Sequence, residues 1–104
     1  MAETYRVIIT AEALADLEGI AEYIRRHSPQ NAATVADTLL SAIDSLSFMP
    51  ARFKRVGTSR KKRSPVHAMV VRPFIIHYRV DERPPAAFIL HVFHGARRQP
   101  RRFE

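Results

Sequence analysis

The side chains with most chemistry to offer are cationic. The tightest pair of potential metal ligands is His91-x-x-His94. On a strand, positions three apart point to opposite faces, so the pair is not expected to share an ion. No carboxylate lies nearby in sequence to complete a site, and the chain has no Cys, which removes thiolate sites and disulfides. No metal or cofactor is expected. A Ser/His/Asp set is not recognisable, and three glycines leave no Gly-rich phosphate loop. Asp81 and Glu82 sit together and read as a solvated turn. What remains is a set of cations, Arg72, His77, Arg79, His91, His94 and Arg97, with Arg98 next to it. Arginine can hold phosphates and stabilise charge developing in phosphoryl transfer. Histidine can act as a general acid or base near neutral pH.

These cations fall on a stretch that reads as sheet, from Val66 to Arg97. Three apolar runs rich in β-branched and aromatic residues are split by Pro-containing breaks. Strands are expected at Val66–Val71, Phe74–Val80 and Ala87–Phe93. Alternation puts Phe74, Ile76, Tyr78 and Val80 on one face of the second, with Ile75, His77 and Arg79 on the other. In the third, Phe88, Leu90 and Val92 alternate with Ala87, Ile89, His91 and Phe93. The apolar sets are expected to cover a core, leaving His77, Arg79 and His91 on an open face. Arg72-Pro73 suits a hairpin turn with a cis bond.

The first half supplies the packing. Tyr5–Ile9 reads as a strand. Thr10 can cap a helix over Ala11–His27, with Leu14, Leu17, Ile20 and Ile24 as its apolar stripe. Arg25 and Arg26 suit its carboxyl end. Ser28-Pro29 is a start signal for a second helix to about Phe48, with Ser28 as the cap and Pro29 at the first position. Its stripe is Val35, Leu39, Ala42, Ile43 and Leu46. So short a link forces an antiparallel hairpin. Residues 51–65 hold seven Lys or Arg in fifteen positions and read as a mobile basic loop. The tail 98–104 is basic and expected to fray. The order is β-α-α-β-β-β in one α+β domain, a helical hairpin packed on a small antiparallel sheet.

Charge divides the chain. Residues 1–50 carry three basic and seven acidic side chains, a balance of −4, while residues 51–104 carry fourteen and three, a balance of +11. Such asymmetry points to nucleic acid or an acidic protein partner. No apolar run approaches the ~20 residues of a membrane span. The N-terminus lacks a signal-peptide pattern, and the lack of Cys fits a reducing cytosol, so a cytoplasmic location is expected.

Several short patterns occur together in order. The first strand ends in Thr10-x-x-Ala13. Asp16-Leu17-x-x-Ile20-x-x-Tyr23-Ile24 and Ser28-Pro29-x-x-Ala32 mark the helices, and Leu46-x-x-x-Pro50 closes them. Ile76-x-Tyr78-Arg79-Val80 and Ile89-Leu90-x-Val92-x-His94-Gly95-Ala96-Arg97 follow. Taken together they resemble the RelE/ParE superfamily of bacterial toxins from type II toxin–antitoxin pairs. The resemblance implies a helical hairpin on a small antiparallel sheet and a toxin–antitoxin heterocomplex with a cognate acidic antitoxin. It also implies one of two targets. RelE-like members are ribosome-dependent mRNA endoribonucleases, whereas ParE-like members poison DNA gyrase. The nuclease branch implies cations on the hairpin strands, an Arg ending the last strand and a Tyr or His near the C-terminus. Arg97 matches the Arg position, and His94 and His91 are the remaining catalytic candidates. His67, Ala68, Met69, Val70 and Ile75 stand where cations are implied, and Phe103 stands near the Tyr position. His-Gly-Ala-Arg and the long helix pair resemble the ParE-like branch. Gyrase inhibition is therefore the expected activity, mRNA cleavage the alternative, and a degenerate toxin that only binds its antitoxin a third reading. Arg72, His77, Arg79, His91, Arg97 and Arg98 are the expected target- or antitoxin-binding residues.

Overall fold

A computed structural model describes residues 4–96. Arg97, Arg98, the rest of the tail and Phe103 lie outside the described residues. The chain begins with β1 (Arg6–Ile9) and α1 (Ala11–His27), then α2 (Pro29–Asp44). Two short 3₁₀ turns, Ser45–Ser47 and Pro50–Arg52, lead to β2 (Lys54–Thr58). β3 (Pro65–Val71), β4 (Phe74–Glu82) and β5 (Pro85–His94) complete an α+β fold. The five strands form one mixed sheet in the order β1-β5-β4-β3-β2. All neighbours are antiparallel except β1, which lies parallel to β5 with Arg6 beside Ala86 and Ile9 beside Ile89. The expected wholly antiparallel sheet is corrected at that edge.

The helices form where the caps and stripes put them. Thr10 Oγ1 accepts from Ala13 N at 3.2 Å and donates to Ile89 O at 2.6 Å. One hydroxyl thus caps α1 and ties it to the sheet. Arg25, Arg26 and His27 close α1. Ser28 ends α1 through its N–H to Ile24 O. The expected side-chain cap at the start of α2 is absent; Ser28 Oγ instead accepts from Asn31 Nδ2 at 2.7 Å. Backbone angles of φ −155° and ψ 70° serve as the hinge of a one-residue link between the helices. α2 stops at Asp44, four residues before the expected end, because the chain tightens into the first 3₁₀ turn.

The core gathers Ala13, Leu39, Ile43 and Leu46 from the helical half and Met69, Phe74, Ile76, Tyr78 and Val80 from the sheet. Alternation in β4 is as expected. β5 differs, because His91 pairs with His77 while Ile89 pairs with Tyr78. Leu90 is therefore an extra residue, a β-bulge that changes the phase of the strand. Ala87, Ile89 and Val92 reach the core, in place of the expected Phe88, Leu90 and Val92. Leu90 is still buried, through other contacts. Leu14, expected in the core, is 50% exposed, because α1 meets the sheet through Ala13.

The basic loop is also corrected. Lys54–Thr58 is an edge strand paired with β3, with a bulge between Arg55 and Gly57. Residues 59–64 form a closed turn. Ser59 N donates to Ser64 O, Arg63 N donates to Ser59 O, and Lys62 N donates to Ser59 Oγ. Ser59 is buried, and Arg63 takes a left-handed φ of 56°. Arg72–Pro73 is cis in the β3–β4 turn, as expected, and Arg83–Pro84 is cis in the next.

Candidate functional site

Cross-strand register decides which cations share a face. Ala68 pairs with Lys54 on one side and with His77 on the other, and His77 pairs with His91. The face opposite the core thus carries a row of Lys54, Ala68, His77 and His91, but it is not open where expected: His77 and Arg79 are buried on it, and of the three expected residues His91 alone is partly exposed. The next row holds Gly57, Val66, Arg79 and Phe88. Lys54 was not legible as a face residue, because the strand that carries it reads as loop.

Burial separates surface groups from supports. His77 is 1% exposed and lies edge-on to the Phe93 ring at 4.9 Å. Burial, with the charge of neighbouring His91, lowers its pKa to about 4. It is neutral at pH 7 and is no acid there. Arg79 is 7% exposed. Its guanidinium meets Asp81 at 3.1 Å and stacks 4.1 Å over Phe88. That fork is held rigid, with both faces of its chemistry engaged. His67 turns to the core side, where Nδ1 lies 2.8 Å from Phe53 O and the ring stacks on Tyr78. Tyr78 OH donates to Pro50 O, and burial pushes its pKa up to about 12. Arg52, nearby, pulls the other way.

His91 is half-buried, with Nδ1 3.7 Å from Asp16 Oδ2. The same carboxylate oxygen accepts from Val92 N at 2.9 Å. Asp16 thereby caps the edge of β5 beyond the point where β1 ends. His94 is exposed, edge-on to Phe74, and its Nδ1 accepts from Ala96 N. His91 and His94 do face apart, and among the described residues no group of three His, Cys, Asp or Glu could hold a metal ion. Arg72 sits exposed in the β3–β4 turn, roughly 20 Å along the strand from Arg79. Gly95 backs that turn: its N–H donates to Pro73 O at 2.8 Å, and a Cβ there would lie 3.3 Å from that oxygen.

Two concavities flank the first turn of α1. On the face opposite the core, a cleft of about 250 Å³ is lined by Thr10, Glu12, Lys61, Lys62, Arg79, Leu90 and His91. The closed 59–64 turn brings its lysines across the sheet to meet Arg79 and His91. Of the sequence-expected cations among the described residues, Arg79 and His91 line this cleft; Lys61 and Lys62 join them from the basic stretch. The second concavity is a groove of about 230 Å³ between the helices. Ile9, Leu14, Leu17, Ile20 and Ile24 form one wall, and Ala32, Val35, Ala36, Leu39 and Leu40 the other. Its lining is apolar apart from Glu18, with Leu14 50% and Leu40 48% exposed. None of the described helices is long and apolar enough to cross a membrane.

Comparison with known proteins gives the same architecture a family. Residues 7–99 match the family described as ParE toxin of type II toxin-antitoxin system, parDE. The chain is 36% identical over 92 residues to Toxin RelE2 of Caulobacter vibrioides, covering 88% of this chain and 97% of that one. A chain of the chromosomal ParDE TA system from P. aeruginosa superposes with a TM-score of 0.68 at 20% identity, covering 89% of this chain and 98% of that one. A chain of the RelBE2 toxin-antitoxin complex from Mycobacterium tuberculosis gives a TM-score of 0.58 at 24% identity, covering 90% and 94%. The fold likeness rests on architecture, and the assignment rests on the near-complete sequence match: this chain belongs to the ParE toxin family of type II toxin–antitoxin systems, within the RelE/ParE superfamily.

Proposed function

We propose that this toxin acts in the cytoplasm by inhibiting DNA gyrase, stalling it on cleaved DNA, and that a cognate acidic antitoxin neutralises it. One observation carries the choice of target: the proton-transfer groups of the sheet do not converge. His77 is buried and neutral, His67 is engaged with Phe53 O, and His91 and His94 face apart. Phosphodiester cleavage without a metal needs a base, an acid and charge stabilisation at one place. A poison needs a complementary surface instead. The cleft offers one in Lys61, Lys62, Arg79 and His91, and Arg72, Arg97 and Arg98 are further cations in the basic half of the sequence. His77 supports that face from beneath. The antitoxin reading draws on the apolar groove and on the solved relatives, a ParDE TA system and a RelBE2 toxin-antitoxin complex.

A second reading is ribosome-dependent mRNA cleavage. It is favoured by the cations around His91, which could hold a phosphodiester beside an imidazole, and by the name of the relative Toxin RelE2. Inducing the chain in bacteria separates the two. Gyrase inhibition predicts filamentation, a DNA-damage response and gyrase-linked breaks in purified plasmid, with bulk mRNA intact. Cleavage of mRNA on purified ribosomes, with gyrase unaffected, overturns the proposal in favour of the second reading. Harmlessness in both assays leaves a chain that only binds its antitoxin.

A further inference from the structure

Two large apolar side chains stand in solvent just past α2. Phe48 is 53% exposed and Met49 is 55% exposed. Met49 takes a left-handed φ of 45° with ψ of 58°, a conformation that is costly for a residue with a bulky side chain. Arg52 holds it there. Its guanidinium donates to Phe48 O, to Met49 O at 3.1 Å and to Ser45 Oγ at 3.0 Å, and lies 4.6 Å over the Phe53 ring. Phe48 is also bridged to Thr4. The pair is a knob set in place by the backbone around it. The same molecule carries a hollow of matching chemistry, the apolar groove of about 230 Å³ between the helices. An apolar cavity of about 150 Å³ holds benzene, so the groove has room for the Phe48 ring.

We propose that the free toxin self-associates, with the Phe48–Met49 knob of one copy seated in the interhelical groove of a second copy. Charge complementarity selects a second copy as the occupant. Glu18 lines the groove, and α2, which forms one wall, carries Asp37 and Asp44 and no Lys or Arg. These aspartates lie three and four residues from Leu40, on its side of the helix. The knob lies in the opposite field. No Asp or Glu occurs from Ser45 to Val80, and the Arg52 charge sits directly behind Phe48 and Met49. Docking brings that guanidinium toward the carboxylates of the groove and removes apolar surface of both copies from water. Knob and groove are different surfaces, so the contact is heterologous, and two copies close into a dimer when each seats the other's knob. The contact is independent of which target the toxin attacks, and it uses none of the cations of the cleft.

The test uses the full-length chain made by cell-free synthesis without any partner, followed by sedimentation across the micromolar range. The wild type is expected to associate as its concentration rises. Phe48→Gln/Met49→Asn removes the knob and keeps a residue that tolerates the left-handed backbone. Leu14→Glu places a charge in the groove. Each should weaken association roughly tenfold or more. Glu18→Lys should weaken it at low salt and less so at high salt. The first two defects are complementary, because the knob variant keeps its groove and the groove variant keeps its knob. Mixing them should give a one-to-one pair that neither forms alone. Thermal melts report whether each variant is folded; Phe48→Ser/Met49→Gly and Leu40→Glu replace any that is not. A wild type that stays monomeric throughout the range overturns the inference, as does association unchanged by either folded variant. Failure of the mixture to pair overturns the knob-in-groove contact. Loss of toxicity in a folded knob variant of a monomeric toxin overturns it in favour of a target-docking role for Phe48 and Met49.

Discussion

His77 shows what an ionisable residue does when a fold encloses it. Its ordinary pKa of 6.5 falls to about 4 because burial disfavours the imidazolium. Between those values the unfolded chain binds a proton that the folded chain refuses. Stability contributed by neutral His77 is therefore complete above pH 6.5 and is lost as pH falls toward 4. The full window corresponds to roughly 3 kcal/mol at 1.36 kcal/mol per pH unit. Urea midpoints of wild type and His77→Phe, measured from pH 7 to 4, should fall more steeply for the wild type. A variant slope equal to that of the wild type would assign the loss to other groups. The sequence showed that His77 shares a face with Arg79, because the alternation in β4 is regular. It did not show that this face is covered at His77 by Phe93, since burial depends on a neighbour from another strand. Nor did it show the bulge at Leu90, because an extra residue in an all-apolar run leaves the run looking unchanged.

The elements were read better than their joints. Both helices and four of the strands follow from periodicity and capping residues. β2 escaped because Lys54 and Arg55 read as loop, although charged side chains are what an exposed edge strand tolerates best. Its pairing with β3 is a tertiary fact. The joint between α1 and β5 was equally hidden, since Asp16 lies off the apolar stripe of α1 and helical spacing alone does not tie it to a strand. It instead satisfies Val92 N at the edge of β5. Asp16→Ala leaves that donor without its carboxylate and should cost about 1–2 kcal/mol. Thr10→Ala removes a cap and the bond to Ile89 O together, with a similar cost of about 1–2 kcal/mol. Chemical denaturation of each single variant and of the pair measures both costs. Because the two anchors hold the same helix to the same strand, the double variant should depart from additivity.

At the scale of the molecule, Leu14 and Leu40 stand half-exposed on facing helices. They project into the groove rather than the core, so Leu14→Glu should leave the thermal melt within about 0.5 kcal/mol of wild type. It should nevertheless abolish rescue when the toxin is induced together with its antitoxin. Rescue at wild-type level by a folded Leu14→Glu would remove the groove from the interface. The parallel pairing of β1 with β5 has a consequence in time. Arg6 must wait for Ala86, eighty residues later. At about 5–20 residues per second the wait on the ribosome is roughly 4–16 s. Every residue of the groove lies between Ile9 and Leu40, whereas the cationic face is finished only when β5 is made. Synthesis therefore delivers the proposed seat of the neutralising partner first and the proposed target-binding surface last.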